Sequence, residues 1–254
     1  MSTAPVTTRA STAVSTLAEA DFQFVAKLVR EQAAIVLEAG KSYLVETRLL
    51  PVARKAGCKT IGELVAAMRA KPGGPLHAEV VDAMTTNETS FFRDVHPFDA
   101  LKQHVLPDLI RRREVERKLN IWCAASSSGQ EPFSMAILLR EHFPQLRDWT
   151  VGFIASDLST EMLAKCQAGK FNQLEVNRGL PAPLLVRYFQ KSGTEWQIKD
   201  DLRRSIEFRQ MNLARPWPAM PPLDLIMVRN VMIYFDAPTK KDILVRCRKL
   251  LRPD

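Results

Sequence analysis

The chain has 254 residues and a formal charge of +8 at pH 7, which allows one large or two modest domains hiding roughly 70 to 75% of the unfolded surface. No apolar run approaches the roughly 20 residues needed to span a bilayer, and the first twenty residues are too rich in Ser, Thr and Ala for a secretory leader. A cytoplasmic protein without direct membrane insertion is therefore expected. Cys58, Cys123, Cys166 and Cys247 stand far apart and the histidines lack ligand spacing, so neither a disulfide framework nor a metal site is predicted; the positive balance asks for an acidic partner, be it nucleic acid, an anionic surface or an acidic protein.

Residues 1–19 are low in large apolar side chains and read as a disordered tail. Helical spacing then runs through "DFQFVAKLVREQAAIVLEAGK", with Gly40 as the stop, through "YLVETRLLPVARKAG", with Pro51 as a kink or fresh start, and through "TIGELVAAMRAK", closed by "PGG". Residues 20–84 thus form a small helical bundle. Residues 85–117 hold a connecting motif, "TTNETSFFRD", and a linker helix, "PFDALKQHVLPDLIRRREVERK". Thr85 and Glu88 have the spacing of a capping box, which leaves Asn87, Thr89, Phe91, Phe92 and Arg93 without a reason to be together.

From residue 118 onward the texture changes. "LNIWCAA" and "TVGFIASD" are apolar runs of strand length separated by the helical "PFSMAILLREHF". Strand, helix, strand at this spacing is a βαβ unit and requires a parallel sheet. "IEFRQMNL" and "LDLIMVRN" add strands, "PTKKDILVRCRKLL" adds a late helix, and residues 170–205 interrupt the rhythm with an inserted helix and small hairpin. The fold class is α/β.

Ligands of open parallel sheets bind beyond the carboxyl ends of the strands. The first such loop, "AASSSGQEP", offers small residues, Gly129 for a turn and Pro132 to open a helix; Glu131 suits either the helix dipole or a ligand ammonium. The second, "ASDLS", ends in Asp157, placed to accept from both ribose hydroxyls of a nucleoside, or to cap the next helix, a role open equally to Ser159. No glycine run is present to cradle a pyrophosphate, which favours a nucleoside without phosphates; S-adenosylmethionine meets that description. The third loop, "MVRNVMIYFD", brings Arg229, Asn230 and Tyr234 to the same cleft. It lacks the Asn/Asp-Pro-Pro-aromatic motif of amino-methylating nucleic-acid enzymes, and no cysteine follows a proline as in a cytosine C5 enzyme, so base methylation loses ground.

Together "TTNETSFFRD", "WCAASSSGQEPFSMA", "ASDLS", the pair Asn212 and Leu213, and "VRNVMIYFD" resemble, in order and spacing, the CheR-type chemoreceptor glutamate methyltransferases over roughly Asp21–Asp254. The resemblance implies a small N-terminal helical domain, a Rossmann-like S-adenosylmethionine-dependent methyltransferase domain and an inserted small β-subdomain. It implies methyl transfer to the γ-carboxylate of receptor glutamates, giving methyl esters and S-adenosylhomocysteine. The family's cofactor contacts fall on Asn87, Thr89, Arg93, Glu131, Asp157, Asn212, Leu213, Arg229 and Asn230. The implied partner is the cytoplasmic signalling domain of chemoreceptors, met by a monomer that does not bind nucleic acid.

Within that reading Asn87 and Thr89 hydrogen-bond the cofactor, while Phe91 and Phe92 either shield the site or fill an interdomain core. Arg93 and Tyr234 steer the acceptor carboxylate, with a structural ion pair as the plainer role for Arg93. Basic residues of the helical domain, Arg48, Arg54, Lys55, Lys59, Arg69 and Lys71, either dock an acidic receptor or form a solvated face. Two departures stand out. Family members continue past "LRPD" with a glycine and a final pair of strands, whereas this chain stops at Asp254, and the hairpin near "KSGTEWQI" is short, which disfavours tethering of a receptor's C-terminal pentapeptide. A nucleic-acid methyltransferase and a non-catalytic S-adenosylmethionine-binding adaptor are the alternatives.

Overall fold

Amphipathic spacing produces the helices of the first unit: α1 (Glu19–Ala33), α2 (Ser42–Lys55), α3 (Ile61–Ala70) and α4 (Pro75–Met84). The computed structural model describes residues 17–254, so the tail expected over 1–16 lies outside the described residues, and Glu19, assigned to that tail, already belongs to α1. Among the described residues, one compact unit comprises residues 17–31 with Leu37–Met84; the other comprises Gln32–Val36 with Thr85–Asp254. In the first, Val25, Val45, Leu49, Leu64, Met68, Val80 and Met84 are fully or almost fully buried, each worth about 1.5 to 3 kcal/mol over exposure.

Two expectations for this unit need correction. The first helix ends at Ala33 instead of Gly40, because Ala34 takes a left-handed φ of 56° and the helical ladder cannot continue through it. A helix that the periodicity did not register, α4, follows "PGG": Pro75 both closes the loop and opens the helix, where its missing N–H costs nothing. Pro51 stays inside α2 without ending it. The basic residues are partly committed within the unit. Arg48 donates to the Met84 carbonyl at 2.6 Å, Lys55 meets Glu79 at 3.0 Å, and the Arg69 guanidinium lies 4.9 Å from the Phe24 ring centroid.

The linker helix is shorter than expected and not uniform. It runs as α5 (His96–Ala100), a π turn at Leu101–Val105 and α6 (Leu106–Arg113). Pro107 lacks the N–H that an α-helix would use there, and the widened turn absorbs the gap.

The second unit carries a parallel sheet of β1 (Lys118–Ala124), β2 (Thr150–Asp157), β6 (Glu207–Gln210) and β7 (Leu225–Val228), in the order β6-β2-β1-β7. Chain order reverses at β1, which makes its carboxyl end the switch point. Helices α7 (Gln130–His142), α8 (Thr160–Ala168) and α12 (Ala237–Leu250) complete the α/β layers. Strand β1 is buried from Leu119 to Ala124, the pattern of a strand covered on both faces.

The insertion is larger than a helix and hairpin. It is a three-stranded antiparallel sheet of β3 (Lys170–Phe171), β4 (Phe189–Ser192) and β5 (Glu195–Ile198), ordered β3-β5-β4, with α9 (Gln173–Asn177), α10 (Ala182–Tyr188) and α11 (Asp200–Arg203) around it. The two-residue β3 was missed because so short a strand has no periodicity; only pairing with β5 reveals it. At the amino ends of the main strands Arg113, buried, donates to Asp224 at 2.6 Å and to both oxygens of Asp254, while Asp224 also accepts the Asn120 N–H at 2.7 Å.

Candidate functional site

Loops after all four parallel strands border one cleft of about 850 Å³, counted with its open mouth. The first contributes Ala125, Ser127 and Glu131, the second Asp157 and Leu158, the third Met211, Asn212 and Leu213, and the fourth Arg229, Asn230, Val231, Tyr234 and Phe235. The connecting motif adds Thr85, Thr86, Asn87, Glu88, Thr89 and Arg93. Every residue assigned from sequence to the cofactor or to the acceptor carboxylate therefore lines the same cleft. Ala33 and Ile35 line it as well; sequence reasoning missed them because it assigned that stretch to an uninterrupted helix.

Asp157 organises the floor. One carboxylate oxygen accepts the Ser127 N–H at 2.7 Å and the other accepts the Ser159 N–H at 2.9 Å. Ser159, not Asp157, caps α8, accepting the Met162 N–H at 3.2 Å. Asp157 is buried and joins the loops after β1 and β2. The first of these is held in an unusual conformation: Ala125 and Ser127 have φ of 56° and 48°, and Gly129 has φ of 99°. Non-glycine residues in that region cost on the order of 1 to 3 kcal/mol each, so the surroundings must enforce it. Ser127 does so at three atoms, adding to its N–H a hydroxyl that donates to the Asn87 carbonyl at 2.8 Å and a carbonyl that accepts the Cys166 thiol at 3.0 Å.

Glu131 and Arg229 form the principal charge pair. Arg229 donates to Glu131 at 2.7 Å, to the Arg93 carbonyl at 2.7 Å and to Asp94 at 2.9 Å, and its guanidinium lies 5.5 Å from the Phe98 ring centroid. Burial raises the Glu131 pKa above the ordinary carboxylate value, against the opposing pull of Arg229. The ion-pair role foreseen for Arg93 thus belongs to Arg229. Arg93 instead donates to the Glu88 carbonyl at 2.7 Å, which leaves its side chain on the cleft wall.

The connecting motif is no helix start. Residues 86–90 are irregular, Thr85 Oγ1 donates to Asn87 Oδ1 at 3.2 Å, and Glu88 pairs with Arg178 at 2.5 Å. The capping box does not form: Thr85 turns to Asn87, and Glu88 is drawn to the distant Arg178. Phe91 is fully buried against Phe171 and Phe189, and Phe92 packs on Phe98. Neither ring lines the cleft, so the shielding role is corrected to core packing inside the second unit. The motif is pressed close to the insertion: a Cβ on Gly179 would lie 2.0 Å from the Phe91 carbonyl oxygen.

Both ends of the Asn212 amide are occupied. Nδ2 donates to the Gln32 carbonyl at 2.6 Å, and Oδ1 accepts the Ala214 N–H at 2.9 Å. Tyr234, which borders the cleft, accepts the Val36 N–H at its carbonyl at 3.0 Å.

Residues 87–254 match the family model described as CheR methyltransferase, SAM binding domain, and residues 20–85 match CheR methyltransferase, all-alpha domain. The chain is 41% identical to chemotaxis protein methyltransferase Cher2 of Pseudomonas putida, over 92% of this chain and 86% of that protein. It is 42% identical to chemotaxis protein methyltransferase 1 of Pseudomonas aeruginosa, over 93% and 87%, and 35% identical to the chemotaxis protein methyltransferase of Salmonella typhimurium, over 94% and 81%.

Proposed function

This chain belongs to the CheR methyltransferase family, a family of S-adenosylmethionine-dependent methyltransferases acting in chemotaxis, and we propose that it esterifies the γ-carboxylate of glutamates in the cytoplasmic signalling domains of chemoreceptors, releasing S-adenosylhomocysteine. The observation that carries this reading is the cleft itself, with Glu131 and Asp157 on its wall and Arg93 and Arg229 beside them. That donor set suits a ligand combining ribose hydroxyls, an ammonium and a carboxylate. When bound, S-adenosylmethionine supplies an electrophilic methyl group.

The chain's residues do the rest. Asp157 accepts from the ribose hydroxyls. Glu131 gives the ammonium a buried counter-charge in a low-dielectric wall, where a charge-assisted hydrogen bond is strong. Asn87, Thr89, Leu213 and Asn230 complete the cofactor wall. Arg93, with Arg229 nearby, draws in the acceptor carboxylate, and Tyr234 orients it.

A glutamate has an unperturbed pKa of about 4.3, so at neutral pH it arrives already ionised and no general base is needed. Rate must come from alignment and exclusion of water. Too strong a grip by arginine would stabilise the ground state more than the transition state, which is consistent with Arg229 being committed to Glu131 and Asp94. The exposed basic residues of the helical unit, Arg54, Lys59 and Lys71 among them, steer an acidic receptor surface.

The test is transfer of labelled methyl to a panel of receptor signalling fragments. Base-labile label on protein that disappears when acceptor glutamates become alanine supports the reading. Label on RNA, or binding of the cofactor without turnover, defeats it.

A further inference from the structure

The chain between β6 and β7 holds a wall of the cleft with no regular structure of its own. Residues 211–222 form neither helix nor strand, yet Met211, Asn212 and Leu213 line the cavity. Restraint therefore comes from neighbours. Met211 donates its N–H to the Asp157 carbonyl at 2.9 Å. The Leu213 carbonyl accepts from two side chains that do not line the cavity, Arg246 of α12 at 2.7 Å and the Trp217 indole N–H at 3.2 Å. Arg246 also donates to the Arg215 carbonyl at 2.6 Å, and its guanidinium lies 4.3 Å from the Trp217 ring centroid. Trp217 is backed in turn by the buried Trp122 of β1, edge to face, with centroids 4.9 Å apart.

We propose that Arg246 is a positioning residue for the cofactor, acting through Leu213, with Trp217 as its support. The ion pair with Asp242 at 2.8 Å, one turn earlier on α12, does not account for this arrangement: the Asp242 side chain is 65% exposed, and surface pairs contribute little. The buried Nε–H of Arg246 meets no acceptor among the described residues; the guanidinium is turned so that its outer nitrogens reach two backbone carbonyls. Arginine's rigid fork suits that double contact, whereas a lysine ammonium is a point charge on a flexible stem. Through Trp122, Trp217 and Arg246 the rigidity of the sheet reaches an otherwise loose wall. The effect should be confined to one end of the ligand. In the order β6-β2-β1-β7, Leu213 stands after β6, beside Asp157 after β2, while Glu131 and Arg229 stand after β1 and β7. The proposal rests on the cofactor reading above, in which Asp157 takes the ribose and Glu131 the ammonium.

Two ligands locate the effect. S-adenosylhomocysteine and methylthioadenosine share the nucleoside and its sulfur, but only the first carries the amino-acid end. Arg246→Lys keeps the charge and gives up the fork. In competition binding it should weaken both ligands by the same factor, on the order of tenfold for one lost hydrogen bond to a charged group. In turnover, KM for S-adenosylmethionine should rise by a similar factor, with kcat and KM for the receptor fragment within about twofold of wild type. Loss confined to S-adenosylhomocysteine would place the effect at the amino-acid end and overturn the proposal. So would unchanged affinities, whether or not Tm falls, since a purely structural arginine lowers Tm alone.

Trp217→Phe decides the matter should the arginine variant misfold, because it keeps a ring beneath the guanidinium and deletes only the indole N–H. Both ligands should weaken alike, by about two- to tenfold; unchanged affinities refute the brace. Failure of the wild-type protein to bind S-adenosylhomocysteine at all would count against the cofactor reading, a result distinct from either of these.

Discussion

Replacing Asp157 by alanine separates two jobs that the structure assigns to one carboxylate. The side chain accepts the Ser127 N–H at 2.7 Å and the Ser159 N–H at 2.9 Å, and it lines the cleft where a ribose is proposed to bind. Losing hydrogen bonds to a charged group should weaken S-adenosylhomocysteine by about 1.5 to 3 kcal/mol, or roughly tenfold to 150-fold in Kd. The two orphaned donors should also lower stability by about 2 kcal/mol or more, a fall in Tm of at least ~4 °C for a chain of this size. Asparagine should not rescue, because its NH2 would face one of the two backbone donors. Calorimetric titration at a temperature where both proteins are folded, alongside thermal denaturation, reads the two effects separately. A lowered Tm with unchanged nucleoside affinity would reduce Asp157 to a loop brace and remove the ribose assignment.

Other outcomes follow from the same geometry. Burial raises the Glu131 pKa from a reference of 4.5, so the folded state holds that proton more tightly than the unfolded chain and stability declines as pH rises from the reference value through the folded one. Glu131→Gln does not titrate, and its Tm relative to wild type should become more favourable as pH rises above the reference value of 4.5, while cofactor affinity falls; a pH-independent difference would refute the burial argument. Arg113→Met would leave the buried Asp224 with only the more distant Arg252, at 3.7 Å, as a counter-charge, and should cost about 1 to 3 kcal/mol measured by denaturant unfolding. Nucleoside affinity should barely change, since the clasp lies at the amino ends of the strands. Gly179→Ala, with φ of 89° and a Cβ 2.0 Å from the Phe91 oxygen, should displace the connecting motif and weaken cofactor binding as well as lowering Tm; full retention of both would show that the backbone yields there cheaply.

The alternation of apolar runs and helical patterns was enough to place β1, β2, α7 and α12 to within a residue or two at most ends, because a doubly covered strand must be apolar throughout and a surface helix must not be. Glycine, proline and the acidic residues at strand ends marked the loops after β1 and β2, since turn geometry and helix capping act over a few residues. Motif order over most of the chain carried the family. In each case the cause is local in the chain, and so the sequence displays it.

Pairings across long separations were decided only by the tertiary structure. Thr85 and Glu88 have capping-box spacing, yet Glu88 answers to Arg178, ninety positions away. A structural ion pair was the plainer role open to Arg93, yet it is Arg229, 98 positions from Glu131, that pairs with that carboxylate. The wall formed by Ala33 and Ile35 was hidden inside a helical pattern because Ala34 leaves the helix for reasons that lie in Asn212 and Tyr234. A hydrogen bond is worth about 1 kcal/mol wherever its partner sits in the chain, while periodicity and spacing report only near neighbours. What the site contains is therefore written in its motifs, and which of its groups are already spoken for is settled by folding.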